Sequence, residues 1–234
     1  MPYKLIITGA TKGIGKSIAE AFAIEGFSIA FCSRTEKDVA AMESHLKSNF
    51  NIDCKGFVCD VSNKAEIQQF AEDAAIYLQG CDVLINNAGV FIPGSIEQEA
   101  DGVFEQQMAV NISSAYYLSQ KLIPTLKNGS RAHSFNMCSI ASIKGYANGG
   151  SYCISKHAML GLTRVLREEL KPVGVAVTAI MPGATLTESW GDSDLPAARF
   201  MKTSDVGKTL LAAWHINEHT VMEEVILRPI EGDI

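Results

Sequence analysis

The sequence has no run of about 18 apolar residues, so no segment is expected to span a membrane. It has no basic cluster either: 20 Lys and Arg stand against 26 Asp and Glu, for a formal charge of −6. Without a line of cations to neutralise successive phosphates, nucleic acid is not an expected partner. The six cysteines (Cys32, Cys54, Cys59, Cys81, Cys138, Cys153) form no C-x-x-C pair, and with the five histidines they make no complete pattern that reads as a zinc site. No metal centre is expected, and the thiols read as reduced, as in a cytoplasmic protein. Met1-Pro2-Tyr3-Lys4 leads straight into an apolar strand, so no signal peptide is expected. Linkers rich in Pro, Gly or Ser, repeats and low-complexity tracts are all missing, which makes residues 1–234 one domain. With 47% hydrophobic and 20% charged residues, the chain has the mix of an ordinary globular protein.

What is present is a steady alternation of short apolar runs with segments of helical period. Strands are expected at 5–7, 28–32, 54–59, 83–85, 133–138, 175–180 and 225–227. Helices are expected near 16–24, 35–49, 62–78, 101–126, 151–171 and 204–214, the third capped by Ser62. Pro182-Gly183 should stop the sixth strand, and a looser loop should follow. Each return from strand to parallel strand needs a crossover helix, so the alternation implies a Rossmann-type α/β fold. Its doubly wound parallel sheet has seven strands, with helices on both faces.

The first strand ends in Thr8-Gly9-Ala10-Thr11-Lys12-Gly13-Ile14-Gly15, and a helix begins at once. Glycines there permit a tight turn, close approach of backbone to a pyrophosphate and close helix–strand packing. The helix N-terminus adds free N–H groups and partial positive charge. Between a strand and a helix of a βαβ unit, this pattern reads as a dinucleotide cradle.

The glycine segment Thr8–Gly15, Asn86-Asn87-Ala88-Gly89, Ser139, Tyr152-x-x-x-Lys156 and Pro182-Gly183 occur in one order along the chain. In that order and spacing the sequence resembles the short-chain dehydrogenase/reductase family over essentially its whole length. Within it, the chain looks like the compact carbonyl reductases. Glu223-Glu224-Val225-Ile226-Leu227-Arg228-Pro229 and Trp190-Gly191 resemble the bacterial sepiapterin-reductase-like branch. The family's usual Val-Asp-Gly-Gly ending is absent, so a differently built C-terminal wall is expected.

The resemblance implies an oxidoreductase that uses NADP(H) to interconvert a carbonyl and an alcohol, working as a homodimer or homotetramer. It makes Tyr152 the general acid/base, Lys156 the cation that lowers its pKa and holds the nicotinamide ribose, and Ser139 the donor to the substrate oxygen. Asn111 is implied to hold a water that relays protons to Lys156. The implied cofactor set is Gly9, Thr11, Lys12, Gly13, Ile14, Gly15, Arg34, Asp60, Val61, Asn87, Ala88, Gly89, Tyr152, Lys156, Pro182, Gly183, Thr185 and Thr187. Asp60 and Val61 face the adenine in that scheme, and 182–187 wraps the carboxamide and diphosphate.

The residues argue part of this directly. Tyr152 and Lys156, four apart on a helix, share one face, and a nearby cation is what a tyrosine acid needs. Taken alone, the pair would read as an ordinary amphipathic surface. Ser139 ends the fifth strand, at the carboxyl edge where such sheets bind ligands. Ser142 reads as a polar loop residue. The second strand ends Phe31-Cys32-Ser33-Arg34, with no acid at its tip for a ribose 2′-hydroxyl. Arg34 instead offers a fork for a 2′-phosphate, with Lys12 as a second cation. Residues 184–200 read as a substrate loop, with Trp190 its one large apolar side chain and 184–195 a lid that orders on ligand binding. A small ketone, diketone or pterin-like substrate is expected. A 3-oxoacyl-[acyl-carrier protein] reductase is the alternative, with Lys127, Arg131 and Lys171 as contacts for an acidic carrier, and a non-catalytic nucleotide sensor is a third reading.

Overall fold

The computed structural model describes residues 2–190, 194–216 and 219–234. Its centre is a sheet of seven parallel strands in the order β3-β2-β1-β4-β5-β6-β7. The strands are β1 Lys4–Thr8, β2 Ser28–Ser33, β3 Cys54–Val58, β4 Val83–Asn86, β5 His133–Met137, β6 Ala176–Pro182 and β7 Glu224–Leu227. The helices are α1 Gly13–Ile24, α2 Glu36–Phe50, α3 Lys64–Leu78, α4 Val103–Met108, α5 Ser114–Leu126, α6 Gly150–Leu170 and α7 Thr203–His215.

Alternation along each strand divides the core in two. Leu5, Ile7, Ile29, Phe31, Val83 and Ile85 meet α1, α2 and α7 on one face. Ile6, Ala30, Leu84 and Val177 meet α3, α5 and α6 on the other. Strands buried on both sides need apolar residues at every position, which is why they read as continuous runs. The winding reverses between β1 and β4, so the connections leaving their carboxyl ends diverge and open a crevice.

Three local expectations change. Asn63, and not Ser62, caps α3, with Asn63 Oδ1 accepting from the Ala65 and Glu66 amides. Ser62 is drawn back to Asp60, whose Oδ1 accepts from its amide and hydroxyl at 2.9 and 2.7 Å. The long helix expected over 101–126 is broken by a π-helical turn, Ala109–Ser113, centred on Asn111. β6 runs on to Pro182, in register with Leu227, and the next amide, that of Gly183, donates to the Leu227 carbonyl.

Candidate active site

The glycine loop is built for close approach. α1 starts at Gly13, three residues earlier than the apolar period implies, so the Gly13–Gly15 amides belong to its first turn. That turn has no acidic residue and no capping side chain to compete for them. Gly9 and Gly13 hold φ of +68° and +55°, where a side chain is strained. A Cβ on Gly15 would run into the Gly9 carbonyl, which fixes how tightly the helix packs on the turn. Asn87 braces the loop from β4, its Nδ2 donating to the Thr8 and Gly9 carbonyls at 2.9 and 3.0 Å. The Thr11 hydroxyl donates to Ser33 Oγ at the end of β2.

This loop floors a cavity of about 820 Å³ along the carboxyl edge of the sheet. Every residue of the implied cofactor set lines it, as do Ser139 and Trp190. Arg34 lines the cavity, is exposed and has no ion-pair partner among the described residues. Lys12 is placed differently from expectation: its ammonium pairs with Glu188 of the loop after β6, at 2.9 Å. A smaller cavity of about 430 Å³, between α7 and the tail after β7, contains none of these groups.

Elsewhere along the cavity, β5 and α6 bring Ser139, Tyr152 and Lys156 together. Ser139 follows β5, and Tyr152 and Lys156 lie on the first two turns of α6. Burial pushes the Tyr152 phenol up from its usual range, while a hydrogen bond from Ser139 pulls it down. Burial also lowers Lys156, whose Nζ donates to the Met137 carbonyl at 2.8 Å and sits 5.8 Å from the Tyr152 ring centre. In the protein alone burial therefore prevails at both groups, and each is held toward its neutral form.

Asn111 stands behind the wall and does not line the cavity. Its Oδ1 accepts from the Val90 amide at 2.7 Å, and its Nδ2 donates to the Val90 carbonyl and to Ser155 Oγ, each at 2.9 Å. The amide group thus ties the π turn to α6 and to the irregular segment following Asn86–Gly89.

Several contributors carried no motif. Ser142 is more than a loop residue: its Oγ accepts from the Ser139 amide at 3.1 Å, while Ser139 Oγ accepts from the Ala141 amide. The Ser-x-x-Ser spacing was the available signal. Phe91, Lys144, Tyr146 and Asp233 form further wall, with Phe91 edge-on to Tyr152 at 4.8 Å. In the tail wall, Asp233 pairs with Arg228 and, at 3.7 Å, with Lys144.

The loop after β6 is anchored at its base. The Leu186 amide donates to the Met201 carbonyl and the Met201 amide to the Ala184 carbonyl, each at 2.9 Å, and Trp190 packs edge-on against Phe200 at 4.8 Å. Gly191, Asp192 and Ser193, also assigned to this loop, lie outside the described residues.

The family model for short chain dehydrogenases matches residues 4–196. The chain belongs to the short-chain dehydrogenase family. Its oxidoreductase relatives include a sepiapterin reductase from Chlorobaculum tepidum, 29% identical over all of this chain and 99% of that one. Among solved structures, an alcohol dehydrogenase from Thermococcus sibiricus complexed with 5-hydroxy-NADP superposes with a TM-score of 0.93. It is 22% identical and covers 100% of this chain and 99% of its own. A metagenomic short-chain oxidoreductase in complex with NADP has a TM-score of 0.84 and 26% identity, covering 97% of this chain and 96% of its own. No described helix of this short-chain dehydrogenase is long and apolar enough to cross a membrane, and no group of three metal-ligating side chains occurs among the described residues.

Proposed function

We propose that this protein is an NADPH-dependent carbonyl reductase acting on a small ketone, diketone or pterin-like side chain, in the cytoplasm and as a homodimer or homotetramer. The observation that carries the reading is that Tyr152, half-buried, lines the dinucleotide cavity together with Ser139 and Lys156. The cradle fits a dinucleotide: helix amides without a competing acid, a glycine that admits no Cβ, and Arg34 facing the cavity. NADP-bound relatives of the same fold support that choice of cofactor.

When bound, the reduced nicotinamide supplies hydride to the carbonyl carbon. As negative charge builds on the carbonyl oxygen, Ser139 Oγ donates a hydrogen bond to it and Tyr152 donates its proton. The phenolate left behind is a half-buried anion, and Lys156 is the buried cation placed to stabilise it. Two such groups ionise more readily together than either does alone. Asn111 keeps Lys156 in line by holding Ser155, one residue before it on α6.

The acyl-carrier alternative loses ground on topology. Lys127, Arg131 and Lys171 all precede a strand or follow a helix at the amino edge of the sheet, opposite the cavity. Arg131 is also committed to the Trp214 ring and the Ile216 carbonyl. The proposed activity is tested by following NADPH absorbance across a panel of ketones, diketones and a pterin with a side-chain carbonyl. Turnover of at least one small carbonyl is expected. NADPH that neither binds nor is consumed with any of them contradicts the reading.

A further inference from the structure

Tyr152 lies in the first turn of α6, and residues adjacent in sequence do not hold that turn. α6 begins at Gly150 behind Gly149, so neither residue has a side chain to accept from the free amides of a helix start. The acceptor comes from the loop before α4. Glu99 Oε1 accepts from the Ser151 amide at 2.7 Å, and Glu99 Oε2 accepts from the Ser151 hydroxyl. Ser151 is buried at 1% exposure, so water cannot take over these bonds.

The fit around this contact is close. The Gly94 amide donates to the Asn148 carbonyl at 3.0 Å. A Cβ on Gly150 would strike Glu99 Oε1 and come within 2.7 Å of the Gly94 carbonyl. The same loop also touches Tyr152 itself, through the Phe91 ring. Its root at Val90 is clamped by Asn111.

We propose that Glu99 is a positioning residue for Tyr152, capping the catalytic helix from another part of the chain and so setting where the phenol stands relative to Ser139. The proposal rests on the reading of Tyr152 as proton donor. Ser139 belongs to the end of β5, so hydrogen bonds within α6 alone do not register the two hydroxyls. A carboxylate at this helix end also meets the positive end of the helix dipole, which strengthens the cap. Proton transfer needs a heavy-atom distance of about 2.6–3.2 Å, and a misplacement of about 1 Å can cost about 100-fold in rate.

Four variants test it: Glu99→Ala, Glu99→Gln, Gly150→Ala and, as reference, Tyr152→Phe. Glu99→Ala should lower kcat at least about tenfold while the Kd for NADPH stays within about twofold. Amide hydrogen exchange over 150–156 should speed up more than in the rest of the chain. Glu99→Gln keeps an acceptor for the Ser151 amide and should recover most of kcat. Gly150→Ala, whose methyl displaces Glu99, should reproduce Glu99→Ala. Wild-type kcat in Glu99→Ala, or unchanged exchange over 150–156 in both disruptive variants, overturns the proposal. An active Tyr152→Phe would instead overturn the acid assignment, and the exchange data would still decide whether Glu99 holds the helix start.

Discussion

The ammonium of Lys12 and the carboxylate of Glu188, 2.9 Å apart, join the glycine loop to the loop after β6. Thr187 lies beside them, its Cγ2 at 3.4 Å from where a Gly13 Cβ would be. Both charged side chains are mostly exposed, at 67% and 74%, so the pair adds little to stability and is screened by salt. Under the proposed function its importance is for binding, because Glu188 then competes with the cofactor phosphate for Lys12. Glu188→Gln should therefore lower the KM for NADPH about threefold at low ionic strength, with the gain fading in about 1 M salt. An unchanged KM at low salt would show that Glu188 does not compete for Lys12.

Arg34 carries the larger part of the expected cofactor choice, being exposed in the cavity and without an ion-pair partner among the described residues. A charge-assisted bond to a 2′-phosphate is worth about 1.5–3 kcal/mol, or at least about tenfold in affinity. Arg34→Asp should cut the NADPH-over-NADH ratio of kcat/KM at least about tenfold, and adding Lys12→Ser should erase or reverse it. A wild type that prefers NADH contradicts the roles given to both cations.

Trp190 is seated on Phe200 while lining the cavity. Trp190→Ala should raise KM for the carbonyl substrate several-fold, unequally across a substrate panel, and leave the KM for NADPH nearly unchanged. Identical kinetics for every substrate would remove Trp190 from the substrate wall.

His133 gives a pH dependence of stability. It is buried in β5, stacked on Phe135, and its Nε2 is hydrogen-bonded to Thr178 Oγ1, whose own proton goes to the Met222 carbonyl. Burial, with a smaller contribution from Arg131, lowers its pKa to about 3. The unfolded chain, with a histidine pKa of about 6.5, binds the proton first, so stability is complete above that pH and is lost as pH falls toward 3. Between pH 7 and 5 the loss from this group is about 2 kcal/mol. Urea unfolding at the two pH values should show it in the wild type and not in His133→Gln. An equal loss in the variant would place the acid sensitivity elsewhere.

The sheet was legible because its strands are buried on both faces and read as unbroken apolar runs, as at Leu5-Ile6-Ile7. The glycine loop, Ser139, Tyr152 and Lys156 were legible because each sits at a fixed spacing on a predictable element. What escaped depends on contacts between distant segments. The π turn at Asn111 is held by Val90, and the helical period of 101–126 continues through it without a break. Glu99 gives no sign in the sequence that its partner is Ser151, and Asp233 gives none that it faces Lys144. Asn63 displaced Ser62 as a cap only because Asp60 claimed the serine.

The central claim is that the Tyr152 hydroxyl delivers the proton in an NADPH-dependent carbonyl reduction. Tyr152→Phe keeps the ring against Phe91 and removes only that hydroxyl. Its kcat, measured beside its Kd for NADPH, tests the claim most directly. The expected result is a fall of about 10²–10⁴-fold in kcat with the Kd within about twofold of wild type. A variant that keeps more than about a tenth of the wild-type kcat would contradict it.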